Sequence, residues 1–283
     1  MAAEEVLQGR LTAQEIRQAI QKKEDAGRWL FHHVIQRLPV PFRDALPWVA
    51  ALRRFDQDLL KEVLADFQLT LSPSQFQKLI RFGFILKETI GYRCHDFIQR
   101  IQRQQLWHDQ PEATRKFLVR CSEVLNRRWN ERHRQEDFFD YLFYRFFIEA
   151  PAALELWEQA IQAARKDWNR ELWGQLIALG KAVVEETLPG AVTVPVLAQL
   201  WFQRGLYHYY QNQWNQALSS YEAALGLYQQ VGDRLGEANT RRAIGDVQRF
   251  KDEYDQALSS YEAALGLYQQ VGDRLGEANT LQA

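Results

Sequence analysis

The sequence predicts an all-α protein. A compact helical module carries one small β-hairpin, connecting helices follow, and an α-α superhelix of repeated units closes the chain. Three observations predict this. Residues 216–240 read QALSSYEAALGLYQQVGDRLGEANT, and residues 256–280 repeat the passage letter for letter, 40 positions on. Self-similarity at that period marks stacked supersecondary units, each unable to bury its apolar face alone. Elsewhere, apolar residues recur at helical spacing between proline and glycine breaks. Only residues 84–94 place β-branched and aromatic residues around a turn, the pattern of a hairpin.

At 283 residues the chain is long enough for two ordinary domains. Its 46% hydrophobic content supports a real core, and 25% charged residues suit a soluble surface. A formal net charge of -1 creates no global field that would select nucleic acid or a membrane. The acidic start, MAAEEVLQGR, lacks the apolar core of a signal peptide. The most apolar run, residues 138–148, is interrupted by Asp140 and Arg145 and is too short to span a bilayer. Two cysteines, Cys94 and Cys121, suggest neither a disulfide framework nor a zinc site. The expectation is a cytoplasmic protein with no cofactor and no metal.

In chain order, residues 11–38 read as a helix capped by Thr12 with Glu15 three positions on. His32 and His33 point about 100° apart on a helix, which fits a surface or core edge better than a metal site. Pro39-Val40-Pro41 breaks the chain. Residues 42–55 and 56–67 read as two further helices. A third, from Ser72-Pro73-Ser74-Gln75 to Phe82, starts with a capping serine, an early proline and a glutamine three positions on. The hairpin of residues 84–87 and 92–94 follows. Three helices followed by a hairpin is a winged-helix-like module, here residues 39–95, after an N-terminal segment of residues 1–38.

This stretch resembles the winged-helix subdomain of STAND-type NTPases, the NB-ARC-like signalling ATPases. The resemblance runs from LPVPFRDALPWVAALRRFD through FGFILKETIGYRCHDFIQRI. In that family the hairpin ends in methionine-histidine-aspartate, and the histidine touches the β-phosphate of bound ADP. The matching residues are Cys94, His95 and Asp96, with cysteine in place of methionine. The resemblance therefore implies a nucleotide-sensing role for His95 and Asp96, while the residues themselves equally suit the start of the next helix. A phosphate loop is missing. The run from Gly174 to Gly180-Lys181-Ala182 has one residue too many between its glycines and lacks the metal-binding hydroxyl.

Residues 96–188 read as successive connecting helices, with Pro111 and Pro151 as first helical residues. Cys121 falls on an apolar stripe, a core position. Leu154, Trp157, Ile161, Ala164 and Trp168 continue the stripe in a later helix. Arg115, Lys116, Arg120, Arg127, Arg128, Arg132 and Arg134 cluster beside Trp107 and Trp129, a composition that can bind a nucleic-acid backbone. Interleaved Glu112, Glu123 and Glu131 make a solvated helix face the better reading, and nucleic acid is not an expected partner.

Leu188-Pro189-Gly190 leads into the repeats of residues 191–283. Leu218, Tyr221, Leu225 and Tyr228 form an apolar stripe with Ala217 and Ala224 beside it. Gly232 suits a left-handed C-terminal cap, and Asp233 can cap the helix after it. The units resemble the tetratricopeptide repeat, patterned W-x2-L-G-x2-Y and A-x3-F. Trp201, Gly205, Ala217 and Tyr221 match in the first unit, and Ile244, Gly245, Ala257 and Tyr261 in the second. Arg204, Arg241, His208 and Gln248 depart from the pattern, and the closing proline is missing.

The tetratricopeptide resemblance implies a concave face lined by the first helix of each unit, hence a partner-binding groove. Its residues would be Gln199, Phe202, Leu206 and Tyr209, then Asn239, Arg242, Asp246 and Arg249. The expected function is non-catalytic binding of a protein segment in a signalling or scaffolding assembly, of bacterial type. Two alternatives remain: the regulatory C-terminal part of a STAND-type NTPase, and a winged-helix DNA-binding regulator. No H-E-x-x-H or G-x-S-x-G motif points to an enzyme. The outer face of the second unit, including Tyr261 and Tyr268, is expected to lie partly open, which invites end-to-end self-association or a further unit.

Overall fold

The computed structural model describes residues 33, 35–186 and 188–282. The predicted helix of residues 11–38, with its Thr12 cap and His32, lies almost wholly outside them. The described residues form two compact units, divided between Tyr144 and Arg145.

In the first unit, α1 (Val40–Ala51), α2 (Gln57–Ala65) and α3 (Pro73–Leu79) precede a hairpin of β1 (Ile85–Lys87) and β2 (Tyr92–Cys94). The strands are antiparallel, with Ile85 opposite Cys94 and Lys87 opposite Tyr92. Gly91 closes the turn at φ 77°, where a Cβ would stand 2.5 Å from the Phe55 carbonyl oxygen. Only glycine satisfies both demands.

Helix α1 ends at Ala51 rather than continuing to Phe55. Phe55 instead pairs with Tyr92, donating to its carbonyl at 2.7 Å and accepting from its N–H at 2.8 Å. Helix α3 has the capping box that its letters predict: Ser72 Oγ accepts from Gln75 N and Gln75 Oε1 from Ser72 N. It stops at Leu79, with turns carrying residues 80–83 to the hairpin.

Helices α4 (Asp96–Asp109), α5 (Pro111–Arg132) and α6 (Gln135–Ile148) follow. Long-range polar contacts fix the backbone where α1 stops. Arg103 donates to the Ala51 carbonyl at 2.9 Å, Gln99 to the Arg53 carbonyl at 2.9 Å, and the Arg53 N–H to Tyr144 Oη at 2.7 Å. Arg54 donates to Asp140 at 2.9 Å.

Three arginines of the basic stretch on α5 make contacts that hold the fold. Buried Arg128 binds the carboxylate of Asp56, the residue that caps α2, at 2.9 Å. Arg127 pairs with Glu62, and Arg120 with Asp66 at 3.3 Å. Both cysteines are buried, and burial raises the Cys94 thiol to about 12.

The second unit continues with α7 (Ala150–Lys166) and α8 (Arg170–Glu185), then α9 (Val194–Tyr210), α10 (Trp214–Val231), α11 (Arg234–Phe250), α12 (Tyr254–Val271) and α13 (Arg274–Leu281). Pro151 is the second residue of its helix, not the first. The glycines of the loop-like run around Lys181 lie inside α8, where they admit neighbours. A Cβ on Gly180 would meet Trp157 at 3.0 Å, and one on Gly174 the Tyr207 hydroxyl at 2.9 Å.

Candidate functional site

Helices α9 to α12 pack as two antiparallel pairs, and a glycine–tyrosine contact sets each junction. Tyr221 of α10 lies over Gly205 of α9, and Tyr261 of α12 over Gly245 of α11. Tyr228 likewise lies on Gly236 of the next pair, and Tyr268 on Gly276 of α13. Small residues let the helices approach closely while the rings fill the interface. Gly232 and Gly272 end α10 and α12 in the left-handed region, and Asp233 and Asp273 cap the helices that follow.

The same hydrogen bond recurs in each pair. Tyr228 Oη donates to Gln199 Oε1 at 2.5 Å, and 40 residues on, Tyr268 Oη donates to Asn239 Oδ1 at 2.7 Å. Gln199 also donates to Glu158 of α7 at 2.5 Å. Both predicted groove amides are therefore oriented by the tyrosines of the repeat.

A pocket of about 200 Å³ lies between the first helices of the two pairs. It brings together three of the predicted residues, Gln199, Phe202 and Asn239, with Tyr228, Asp233 and Leu235. Phe202 is half-buried, its ring 5.6 Å from that of Tyr221. Leu206 is also half-buried. Arg242 and Asp246 pair with each other at 3.6 Å, and Asp246 accepts from Tyr261 Oη at 2.8 Å. Tyr209 belongs to an aromatic group, with Trp214 and Phe250 stacked face to face at 5.1 Å. Arg249 lies over Phe250.

Seven of the eight positions thus divide into a pocket, an ion pair and an aromatic end, with Leu206 half-buried outside these groups. Leu235 and Tyr228 were missed as lining residues, although both belong to the duplicated passage.

Glu237 is buried at the start of α11. Burial pushes its carboxyl up, but hydrogen bonds from Gln229 at 2.9 Å and Arg241 at 3.0 Å outweigh this and hold it below the usual range.

In the first unit, His95 caps α4, its Nδ1 accepting from Phe97 N at 3.4 Å. Asp96 begins that helix and pairs with Arg93 of β2, which also pairs with Glu88. Among the described residues, no group of three or more histidine, cysteine, aspartate or glutamate side chains could hold a metal ion. No described helix is long and apolar enough to cross a membrane.

Residues 196–283 match the tetratricopeptide repeat family model. This segment is a tetratricopeptide-repeat array. Comparison with curated proteins gives no match. Among solved structures, the chain is similar to a Signal Transduction ATPase with Numerous Domains (STAND) protein with a tetratricopeptide repeat sensor from Pyrococcus horikoshii. The identity is 17% and the TM-score 0.32, over 89% of this chain and 48% of that one. The chain therefore spans about half the length of that protein.

In the tetratricopeptide array, the duplicated letters meet different surroundings. Leu218 of α10 packs beside Ala243, Ile244 and Val247 of the second repeat, whereas its copy Leu258 is 58% exposed. Tyr268, expected to lie partly open, is fully covered, because α13 brings Gly276 against its ring. Tyr261 is half-buried.

Proposed function

We propose that the protein binds a segment of another protein in the groove of its tetratricopeptide array and acts as a non-catalytic scaffold. The observation that carries this reading is the pocket between the two repeats. Its wall combines apolar Phe202 and Leu235 with amides that the repeat tyrosines hold in place. Asn239 gives its oxygen to Tyr268, which leaves its nitrogen to donate to a partner carbonyl. An apolar side chain in the pocket, with its backbone on the amide, suits an extended or helical segment. The Arg242–Asp246 pair and the aromatic end beside Tyr209 extend the surface along the groove.

The test is affinity capture by the full chain, compared with Leu235→Glu and Asn239→Ala. Leu235 is exposed, so its exchange spares the core. A partner held by the full chain and lost in both variants supports the groove. A partner retained equally by both places binding elsewhere. The exposed face around Leu258 is a second surface, suited to a repeat-like helix of this or another chain. Sedimentation that finds only monomer at high concentration rules out self-association there.

A further inference from the structure

Trp168 is the point at which the periodic pattern of α7 and the structure part. Its spacing predicts a buried helix position, yet α7 ends at Lys166 and the Trp168 side chain is 84% exposed. Its φ is 53°, in the left-handed region. The backbone there is imposed by a closing turn, with Asn169 N donating to the Ala164 carbonyl at 2.8 Å and Trp168 N to the Arg165 carbonyl at 3.2 Å. Glycine is the ordinary occupant of such a position, and a bulky residue there is strained. Neither packing nor backbone geometry accounts for a tryptophan at this site. Strain of this kind clusters at sites of function.

Beside Trp168 lies a pocket of about 430 Å³, between the α7–α8 turn and the end of α9. Trp168, Trp173 and Tyr210 supply its aromatic wall, and Arg165, Lys166 and Arg170 its cations; among the described residues no carboxylate lines it. Arg165 is held in place, its guanidinium 5.3 Å from the Trp173 ring centre and 5.0 Å from that of Tyr210, and it donates to Tyr210 Oη at 3.3 Å. Glu171, the acidic neighbour on α8, accepts from Gln175 instead. Trp173 is buried in the wall, and its Nε1–H has no hydrogen-bond partner among the described residues.

We propose that this pocket binds a ligand that joins a planar ring to a phosphate monoester, with the ring stacked on Trp168 and the phosphate held by Arg165, Lys166 and Arg170. Three cations without a facing carboxylate favour a doubly charged group over a single carboxylate. An exposed indole at the mouth gives the ring a stacking face. The volume lies within the range of small-ligand sites.

The experiment is titration calorimetry of the full chain at low salt with adenosine 5′-monophosphate, phosphotyrosine, adenosine and inorganic phosphate. Either ring-bearing phosphate is expected to saturate the site below about 1 mM, and whichever binds tighter names the ligand source. Adenosine and inorganic phosphate should each bind at least about tenfold more weakly, and added salt should weaken the binding.

Arg165→Gln and Trp168→Gly should each weaken binding about tenfold or more. Glycine also relieves the backbone strain, so the Trp168→Gly chain should melt no lower than the parent, which separates a ligand role from a structural one. No binding by either ring-bearing phosphate overturns the proposal. Binding of inorganic phosphate as tight as that of the nucleotide overturns it as well, as does undiminished binding by Trp168→Gly.

Discussion

Exchanging Gly226 and, separately, Gly205 for alanine applies one chemical change to two helices of the same repeat, with opposite expected signs. At Gly226, inside α10, an added Cβ would meet nothing within 4 Å. Alanine there only removes the backbone-entropy penalty of glycine, a gain of about 0.5–1 kcal/mol. At Gly205 the Cβ would stand 2.5 Å from two ring carbons of Tyr221. Carbon atoms settle at about 3.5–4.0 Å, so the ring must retreat by roughly 1 Å.

Tyr221 has no room to retreat, being fully buried with Phe202 close by. Overpacking at the upper end of its usual range costs about 3 kcal/mol; set against the propensity gain, the net loss is about 2 kcal/mol. Urea unfolding followed by far-ultraviolet circular dichroism reads both variants, compared at unchanged slope. The Gly226→Ala midpoint should rise and the Gly205→Ala midpoint fall. If both rise alike, glycine is not at position 205 to admit the ring, and the junction geometry described here is wrong.

Two further outcomes follow from the polar contacts. Asp56→Ala removes the α2 cap and leaves buried Arg128 with Glu62, at 3.6 Å, as its ion pair among the described residues, so it should cost about 2–4 kcal/mol in a thermal melt. Asp56→Asn keeps a capping oxygen and should cost less; equal losses would mean that the carboxylate charge is the whole effect. At high pH the repeats should weaken. Burial raises the phenols of Tyr221 and Tyr228, while burial and the hydrogen bond to Asp246 push Tyr261 up to about 12. An unfolded tyrosine ionises near pH 10. The folded chain therefore holds protons that the unfolded chain has lost, so stability is complete below about pH 10 and falls as the pH climbs toward about 12. A melting temperature that stays flat across that window contradicts this account.

Signals written within a few residues were legible in the sequence: the capping box at Ser72, the turn at Gly91, the caps at Gly232 and Asp233. What failed depended on distant partners. Residues 52–55 carry helix-compatible letters, but Gln99 and Tyr144 take hold of the Arg53 backbone, and Arg103 of the Ala51 carbonyl just before it, from far along the chain. In the repeat stripe Tyr221 and Tyr228 are buried, with Ala217 and Ala224 beside them, but the two leucines are only half-buried for a related reason. Hydrophobicity selects Leu218 and Leu225, whereas the closest helix approach buries Ala217 and Ala224 and leaves both leucines at the flank. Trp168 has the period of a core residue and none of its environment. Of the candidate groove, the helix was readable from the repeat pattern. The partners of its amides were not, because Tyr228 and Tyr268 lie 29 residues away along the chain.

The duplicated passage has a consequence for how the chain finds its register. Helices α10 and α12 share their letters from residues 216 and 256 onward, so beyond their first two residues neither carries an address of its own. The address resides in their unlike neighbours. Helix α9 brings Trp201, Phe202 and Tyr209, whereas α11 brings Arg241, Arg242 and Arg249. A nascent α12 offered to α9 would find the glycine at 205 that its own Tyr261 can cover, and would dock one unit out of step. The unlike letters that α9 and α11 present decide between the two registers. Perfect repetition thus exchanges local certainty for a choice that the whole array has to resolve.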